Sequence, residues 1–153
     1  MTDQSFSTRF TVTQSPEAVF AAIQNVRGWW SQTVEGKTAE LGDEFTYRYP
    51  KMHVSRQKLT EVIPGKKMVW KVLSATLSFV KDQHEWSDTE IIFDIAKKGA
   101  KTEVVFTHRG LVPAFECFDA CSGAWGTYVT KSLKQLIETG TGEPDEKVVV
   151  ASF

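Results

Sequence analysis

The chain has 153 residues, enough for one domain with a real core, with 41% hydrophobic and 24% charged residues and a formal net charge of -1. That balance describes a globular protein without the basic excess on which nucleic-acid binders rely, and it excludes nucleic acid as the expected partner. No stretch approaches the about 20 apolar residues of a membrane span, and the N-terminus lacks the basic-then-apolar pattern of an export signal, so the expected location is the cytoplasm.

Phe6, Thr8, Phe10 and Val12 alternate with polar partners, the period of a strand with one buried face. Ser15, Pro16 and Glu17 then read as an N-cap, a first-turn proline and an acidic first turn, and Val19, Phe20 and Ile23 follow at helical spacing, which predicts a short helix. Residues 26–31 predict a second helical turn. Because adjacent tryptophans cannot both face inward from a strand, one of Trp29 and Trp30 is expected at a pocket rim. Gly36 and Gly42 punctuate a loop.

Phe45, Tyr47 and Tyr49 alternate with Glu44, Thr46 and Arg48 in a second strand that ends at Pro50. Residues 53–63 predict a third, Gly65 a turn, and 68–73 a fourth strand pairing back. Residues 89–96 and 102–109 form a hairpin around Lys97, Lys98, Gly99, Ala100 and Lys101, whose lysines, like Lys66 and Lys67, belong to a solvated turn. Between these, 74–88 carries Leu77, Phe79 and Trp86 and fits either another strand or a flap.

Residues 111–142 read as one long amphipathic helix. At about 100° per residue, Phe115, Phe118, Cys121, Trp125, Tyr128, Val129, Leu133 and Leu136 share one face, with Glu116, Thr127, Lys131, Lys134 and Glu138 opposite. Pro113 suits its first turn and Gly140 the left-handed residue that ends it, predicting a helix over 113–139. Such a helix needs a concave apolar partner, which a curved antiparallel sheet supplies. Gly123 and Gly126 inside it each cost about 1 kcal/mol relative to alanine, which suggests close packing or a bend. The domain is expected over 1–142, with 143–153 as a tail whose apolar end, 148–153, packs on its own domain or meets a second copy in a homodimer.

This order of elements resembles the helix-grip fold of the START-like, or SRPBCC, superfamily. Residues 59–70 (LTEVIPGKKMVW), 102–111 (TEVVFTHRGL) and the run from Trp125 through Gly140 are similar to the branch named after the activator of the heat-shock protein 90 ATPase. The resemblance implies an α+β fold, a curved antiparallel sheet wrapped around a long C-terminal helix with two short N-terminal helices. It also implies a cavity between sheet and helix, which in relatives holds lipids, hormones, polyketides or other apolar small molecules. It implies no single activity. The eponymous co-chaperone adds a separate N-terminal domain that contacts the chaperone, and this chain has no room for one, so a chaperone partner is not expected.

Among groups that could carry chemistry, His53, His84, His108, Cys117 and Cys121 lack the paired spacing of a metal site, and no metal or cofactor is expected. Cys117 and Cys121, four apart on a helix, have Cβ atoms about 5–6 Å apart, beyond the about 3.5–4.5 Å of a disulfide, and are expected as thiols. Cys121 with His108 is the one attractive nucleophilic pair, set against the common role of buried cysteine as core filler. His108 alternates with Val104 and Phe106 and should face inward with them, to meet a ligand or a core partner. Tyrosine and tryptophan combine an apolar body with one polar handle, the mix that orients a ligand. The expected wall residues are therefore Tyr47, Trp70, Phe106, His108, Cys121, Trp125 and Tyr128, and the expected function is binding of an apolar or aromatic small molecule. The alternatives are an enzyme of cyclase or hydrolase type with His108 as acid or base, signalled by a convergent polar cluster in the cavity, and a chaperone-associated interaction module, signalled by an exposed apolar patch around Trp29 and Trp30 or the 148–153 tail.

Overall fold

The computed structural model describes residues 5–49, 53–78, 81, 84 and 86–145. Seven strands form one curved antiparallel sheet in the order β1-β7-β6-β5-β4-β3-β2. They are β1 (Phe6–Val12), β2 (Glu35–Gly36), β3 (Glu44–Tyr49), β4 (His53–Ile63), β5 (Lys67–Leu77), β6 (Glu90–Lys98) and β7 (Lys101–Arg109). Helices α1 (Pro16–Gln24) and α2 (Val26–Trp29) connect β1 to β2. The chain closes on α3 (Phe118–Thr127), a π-helical segment (Tyr128–Leu133) and α4 (Lys134–Thr139), which run on without a break as one C-terminal helix.

Local chemistry accounts for most of these boundaries. The Ser15 side chain accepts from the Ala18 backbone N–H at 3.2 Å, capping α1 ahead of its first-turn proline. Alternation in β7 buries Thr102, Val104, Phe106 and His108, and register sets Phe93 opposite Phe106 on β6. Register shifts at Arg56/Gln57 and Leu59/Glu61 break the β4–β5 ladder, the kind of bulge that bends a strand and lets a sheet wrap a helix.

The C-terminal helix departs from expectation at its start. It begins at Phe118, and Pro113 lies in a turn. Phe115 packs against the core while Cys117 is buried. On an α-helix two positions are about 200° apart, so the segment runs instead through successive turns, Phe115 N–H to Val112 O at 2.9 Å and Phe118 N–H to Phe115 O at 3.1 Å. No Ser, Thr, Asp or Asn stands at the cap position, which Cys117 occupies. The expected stop holds, with Gly140 at φ 85°.

Burial along this helix recurs at Cys117, Cys121, Trp125, Val129, Leu133 and Ile137, every fourth residue. Steps of four on a regular α-helix over-rotate by about 40° each. The wider π-helical turn takes back part of that drift and keeps the line on the sheet. Ile137 joins the buried line as a consequence, and Leu136, Tyr128 and Phe118 flank it half-buried.

Trp29 and Trp30 are both buried, so neither ring is an exposed rim and the pair forms no exposed patch of the kind expected of an interaction module. They lie at the end of α2, where a helical turn allows both rings inside. Trp29 stacks on Trp70 at 6.1 Å and Trp30 on Tyr47 at 4.2 Å. Within the open segment 74–88, β5 continues to Leu77, and the loop residues 86–89 lie back against it with Trp86 buried. That loop is tied to β5 by Asp88 N–H to Val72 O and Val72 N–H to Thr89 O, at 2.9 and 2.8 Å. Phe79 and the 148–153 tail lie outside the described residues. Beyond the helix, Asp145 pairs with the segment after α2, through Asp145 N–H to Trp30 O at 2.9 Å and Gln32 N–H to Asp145 O at 3.0 Å.

Candidate functional site

A cavity of about 280 Å³ opens where the end of the sheet meets α3. Its wall is made by Trp30 after α2, Tyr47 and Tyr49 on β3, His53 at the start of β4, Trp86 on the loop before β6, Ala120, Cys121, Ala124 and Trp125 on α3, and Tyr128 on the π-helical segment. Tyr49, Ala120 and Ala124 are exposed and form its mouth, while Trp30, Tyr47, Trp86, Cys121 and Trp125 are buried. The rings brace one another: Trp30 lies 4.8 Å from Trp125, and Trp86 stacks on Trp125 at 5.8 Å.

Of the expected wall residues, Tyr47, Cys121, Trp125 and Tyr128 line this cavity, and Trp70, Phe106 and His108 do not. Those three face inward as expected and are fully buried, but they lie in packed core behind the wall. Trp70 is covered by Trp29, Trp30 and Phe45, and Phe106 by Phe93 and Trp125. Trp30 lines the pocket that one of the adjacent tryptophans was expected to reach, in its buried wall rather than at its rim; Tyr49 has the right chemistry but was not among the expected wall residues, and residue patterning did not find His53, Trp86, Ala120 or Ala124. The tryptophan pair at 29–30 was the available signal for Trp30, and its placement on a helical turn determines which ring reaches the cavity.

His108 holds the wall in place from behind. The Trp125 indole N–H donates to His108 Nδ1 at 3.0 Å, which leaves the ring proton on Nε2 to donate to Thr89 Oγ1 at 2.8 Å, and Thr89 Oγ1 donates to Trp86 O at 2.6 Å. One chain of hydrogen bonds therefore runs from α3 through β7 to the loop that carries Trp86. Burial pushes the His108 pKa down to about 3, with His53 adding to the shift, so the ring is neutral at ordinary pH. With both nitrogens engaged and no exposure to the cavity, His108 is not placed to act as an acid or base there.

At one end of the cavity the Tyr128 hydroxyl donates to Asp145 Oδ2 at 2.6 Å, the Tyr47 hydroxyl donates to the same oxygen at 3.1 Å, and the two hydroxyls lie 3.4 Å apart. Burial raises both tyrosine pKa values well above the usual phenol range; the Asp145 carboxylate adds to the shift on both, and the Tyr47–Tyr128 contact adds to it on Tyr47 but works against it on Tyr128. Cys117 and Cys121 are buried thiols rather than a disulfide. Among the described residues no group of three or more His, Cys, Asp or Glu side chains is arranged to hold a metal, and no helix is long and apolar enough to cross a membrane.

A curved antiparallel sheet gripping a C-terminal helix around an aromatic-lined cavity defines a START-like helix-grip protein. The chain belongs to the family described as activator of Hsp90 ATPase homolog 1-like protein, whose model matches residues 4–138. No curated protein matches it. Among solved structures it is similar to the Aha1 dimer from Colwellia psychrerythraea, at 24% identity and a TM-score of 0.71 over 90% of this chain and 98% of that one. It is also similar to DynU16, a protein of the dynemicin biosynthetic locus, at 12% identity and a TM-score of 0.69, covering 95% of this chain and 52% of the longer relative. Protein MLL2253 from Mesorhizobium loti shares 15% identity at a TM-score of 0.65, over 86% of this chain and 96% of that one. At these identities the likeness is one of fold.

Proposed function

We propose that the chain is a binding protein for a compact apolar or aromatic small molecule, held between the sheet and the C-terminal helix. The supporting observation is the cavity itself, whose wall carries the six rings of Trp30, Tyr47, Tyr49, Trp86, Trp125 and Tyr128. A volume of about 280 Å³ falls at the lower edge of the about 300–1,000 Å³ typical of drug-sized sites. That size favours a ligand of two or three rings over a long-chain lipid. The dimer of the Colwellia protein is a property of that protein, and nothing in the binding reading requires a second copy.

The Tyr47–Asp145–Tyr128 cluster is the observation that favours a second, enzymatic reading. Its phenols are held protonated and each gives its one hydrogen to Asp145 Oδ2, so donation to a ligand oxygen would require a hydroxyl to turn away from that carboxylate. Titration with a neutral aromatic probe, N-phenylnaphthylamine, tests the binding reading, since Trp30, Trp86 and Trp125 report occupancy through their fluorescence. Saturable quenching that is lost in Cys121→Phe, which places a ring in the cavity, is the expected result. Quenching unchanged in that variant, with the fold intact by circular dichroism, would place the probe elsewhere and reject the site.

A further inference from the structure

Five lysines gather at one end of the sheet, away from the cavity. Lys66 and Lys67 stand at the turn between β4 and β5, and Lys97, Lys98 and Lys101 around the turn between β6 and β7. Because β5 lies beside β6 in the sheet, the two turns are neighbours, and the Ile95 N–H donates to Lys66 O at 2.8 Å between them. Lys66, Lys97, Lys98 and Lys101 are exposed, and Lys67 is half-buried. The 11 residues of β4 run from His53 in the cavity wall to Ile63 at this end. At about 3.3 Å per residue, the lysines lie about 30 Å from that part of the wall.

The arginines elsewhere on the chain are matched within the protein. Arg9, Arg48, Arg56 and Arg109 form ion pairs with glutamates, and Arg27 donates to the Val34 and Gly36 carbonyls. Of the lysines at the two turns, only Lys67 has such a partner, Asp94 at 3.9 Å. Among the described residues no carboxylate comes within ion-pair distance of the other four. Register sets Lys98 directly opposite Lys101, and like charges that face each other across two strands destabilise the pair. The bordering carboxylates do not cancel this charge: Asp94 and Glu103 are held by Lys67 and Arg9, which leaves Glu17 beside Gly65 and Glu61 on β4. An anion brought to this end relieves the repulsion.

We propose that these two turns dock the protein on an anionic membrane surface. Reversible docking of that kind combines clustered cationic side chains with apolar area that enters the headgroup layer, and both are present. Ile63 is 41% exposed, stands opposite Lys67 in register and is followed by the exposed Pro64. All the cations are lysines, compact point charges without the planar fork with which arginine grips one carboxylate or phosphate. Their spread over two turns suits the distributed charge of a lipid surface. The cavity takes no part in the contact, so the proposal stands independently of what the cavity binds.

Co-sedimentation of the intact protein with vesicles tests it, using phosphatidylcholine alone and phosphatidylcholine with about 30% phosphatidylserine. The wild type is expected to sediment with the anionic vesicles at low salt, to ignore the neutral ones, and to be released as salt rises to about 0.5 M. A lysine near an anionic surface contributes about fivefold to partition, so the triple variant Lys66→Gln, Lys98→Gln, Lys101→Gln should bind about tenfold more weakly or worse. The matched variant Lys37→Gln, Lys81→Gln, Lys131→Gln removes the same charge at exposed positions away from the turns and should lose less than about threefold. Ile63→Ser should lower partition about threefold and leave the salt dependence unchanged, because its share is apolar. No sedimentation of the wild type with anionic vesicles at low salt, equal sedimentation with neutral ones, or equal losses in the two triple variants would overturn the proposal. Binding to poly-glutamate without binding to vesicles would assign the patch to an acidic polypeptide and overturn it as well. The comparison of vesicle types on the wild type does not depend on how well any variant folds.

Discussion

His108 shows how far a single residue can be read from its pattern. Alternation with Val104 and Phe106 places it on the inner face, and it is there, fully buried. What alternation does not carry is the side chain of Trp125, distant in sequence, which covers the ring and takes its Nδ1. Inward orientation and contact with the cavity are separate properties, because the cavity occupies only one end of a face that is elsewhere closely packed. Both buried histidines make stability depend on pH. Their folded pKa values of about 3 lie below the ordinary value of 6.5, so the folded protein binds fewer protons than the unfolded chain below neutrality. The contribution is fully present above about pH 6.5 and is lost as pH falls toward 3, at up to about 1.4 kcal/mol per pH unit for each histidine. Urea unfolding measured from about pH 7 to about pH 4.5 should show midpoints falling with pH, and His53→Phe should flatten that slope by one proton. A wild-type slope no steeper than that of a protein without buried histidine would show that these rings charge freely when folded.

At the scale of elements, caps and periods that act within a few residues were legible. Ser15 and Pro16 mark the start of α1, Gly140 the end of the C-terminal helix, and alternation the strands β1, β3 and β7. The false start at Pro113 arose because a proline suits a first turn without requiring one, and the competing burial of Phe115 and Cys117 decided the conformation. The two-residue β2 is too short to leave any period, and the segment around Gly36 read only as a loop. The helix glycines, expected to reflect close packing or a bend, have no packing role, since a Cβ at Gly123 or Gly126 meets nothing within 4 Å. Each is therefore expected to gain roughly 0.5–1 kcal/mol on substitution by alanine. Gly142 is the opposite case: an added Cβ would stand 2.4 Å from Gly28 O and 2.9 Å from Ser132 O. Gly142→Ala should cost about 1–3 kcal/mol and loosen Asp145 from the tyrosines. Thermal unfolding of the three variants checks the contrast, and a Gly142→Ala protein as stable as Gly126→Ala would contradict the packing described after the helix.

For the whole molecule, the order of strands and helices carried the fold, because each element announces itself locally and together they admit few arrangements. The site was legible only in outline. Tyr47, Cys121, Trp125 and Tyr128 were within reach of residue patterning, whereas His53 stands at the first position of β4 and Trp86 in the segment just before β6, where no period operates. Asp145 lies past the helix stop and meets Tyr47 across 98 positions of chain, a contact with no local signature. The resulting cavity is small and aromatic, and no lysine or arginine among the described residues lines it. Its walls are joined by the hydrogen-bond relay from Trp125 through His108 and Thr89 to the backbone of the Trp86 loop, so α3 and that loop are positioned together.

The central claim, a compact aromatic ligand in this cavity, is tested most directly by native against denaturing mass spectrometry of protein incubated with the small-molecule fraction of a cell extract, followed by solvent extraction. The expected result is a reproducible mass excess that disappears on denaturation, is absent from Cys121→Phe, and is recovered as a compact apolar or aromatic compound. Identical native and denatured masses, or the same excess on the Cys121→Phe variant, would contradict it.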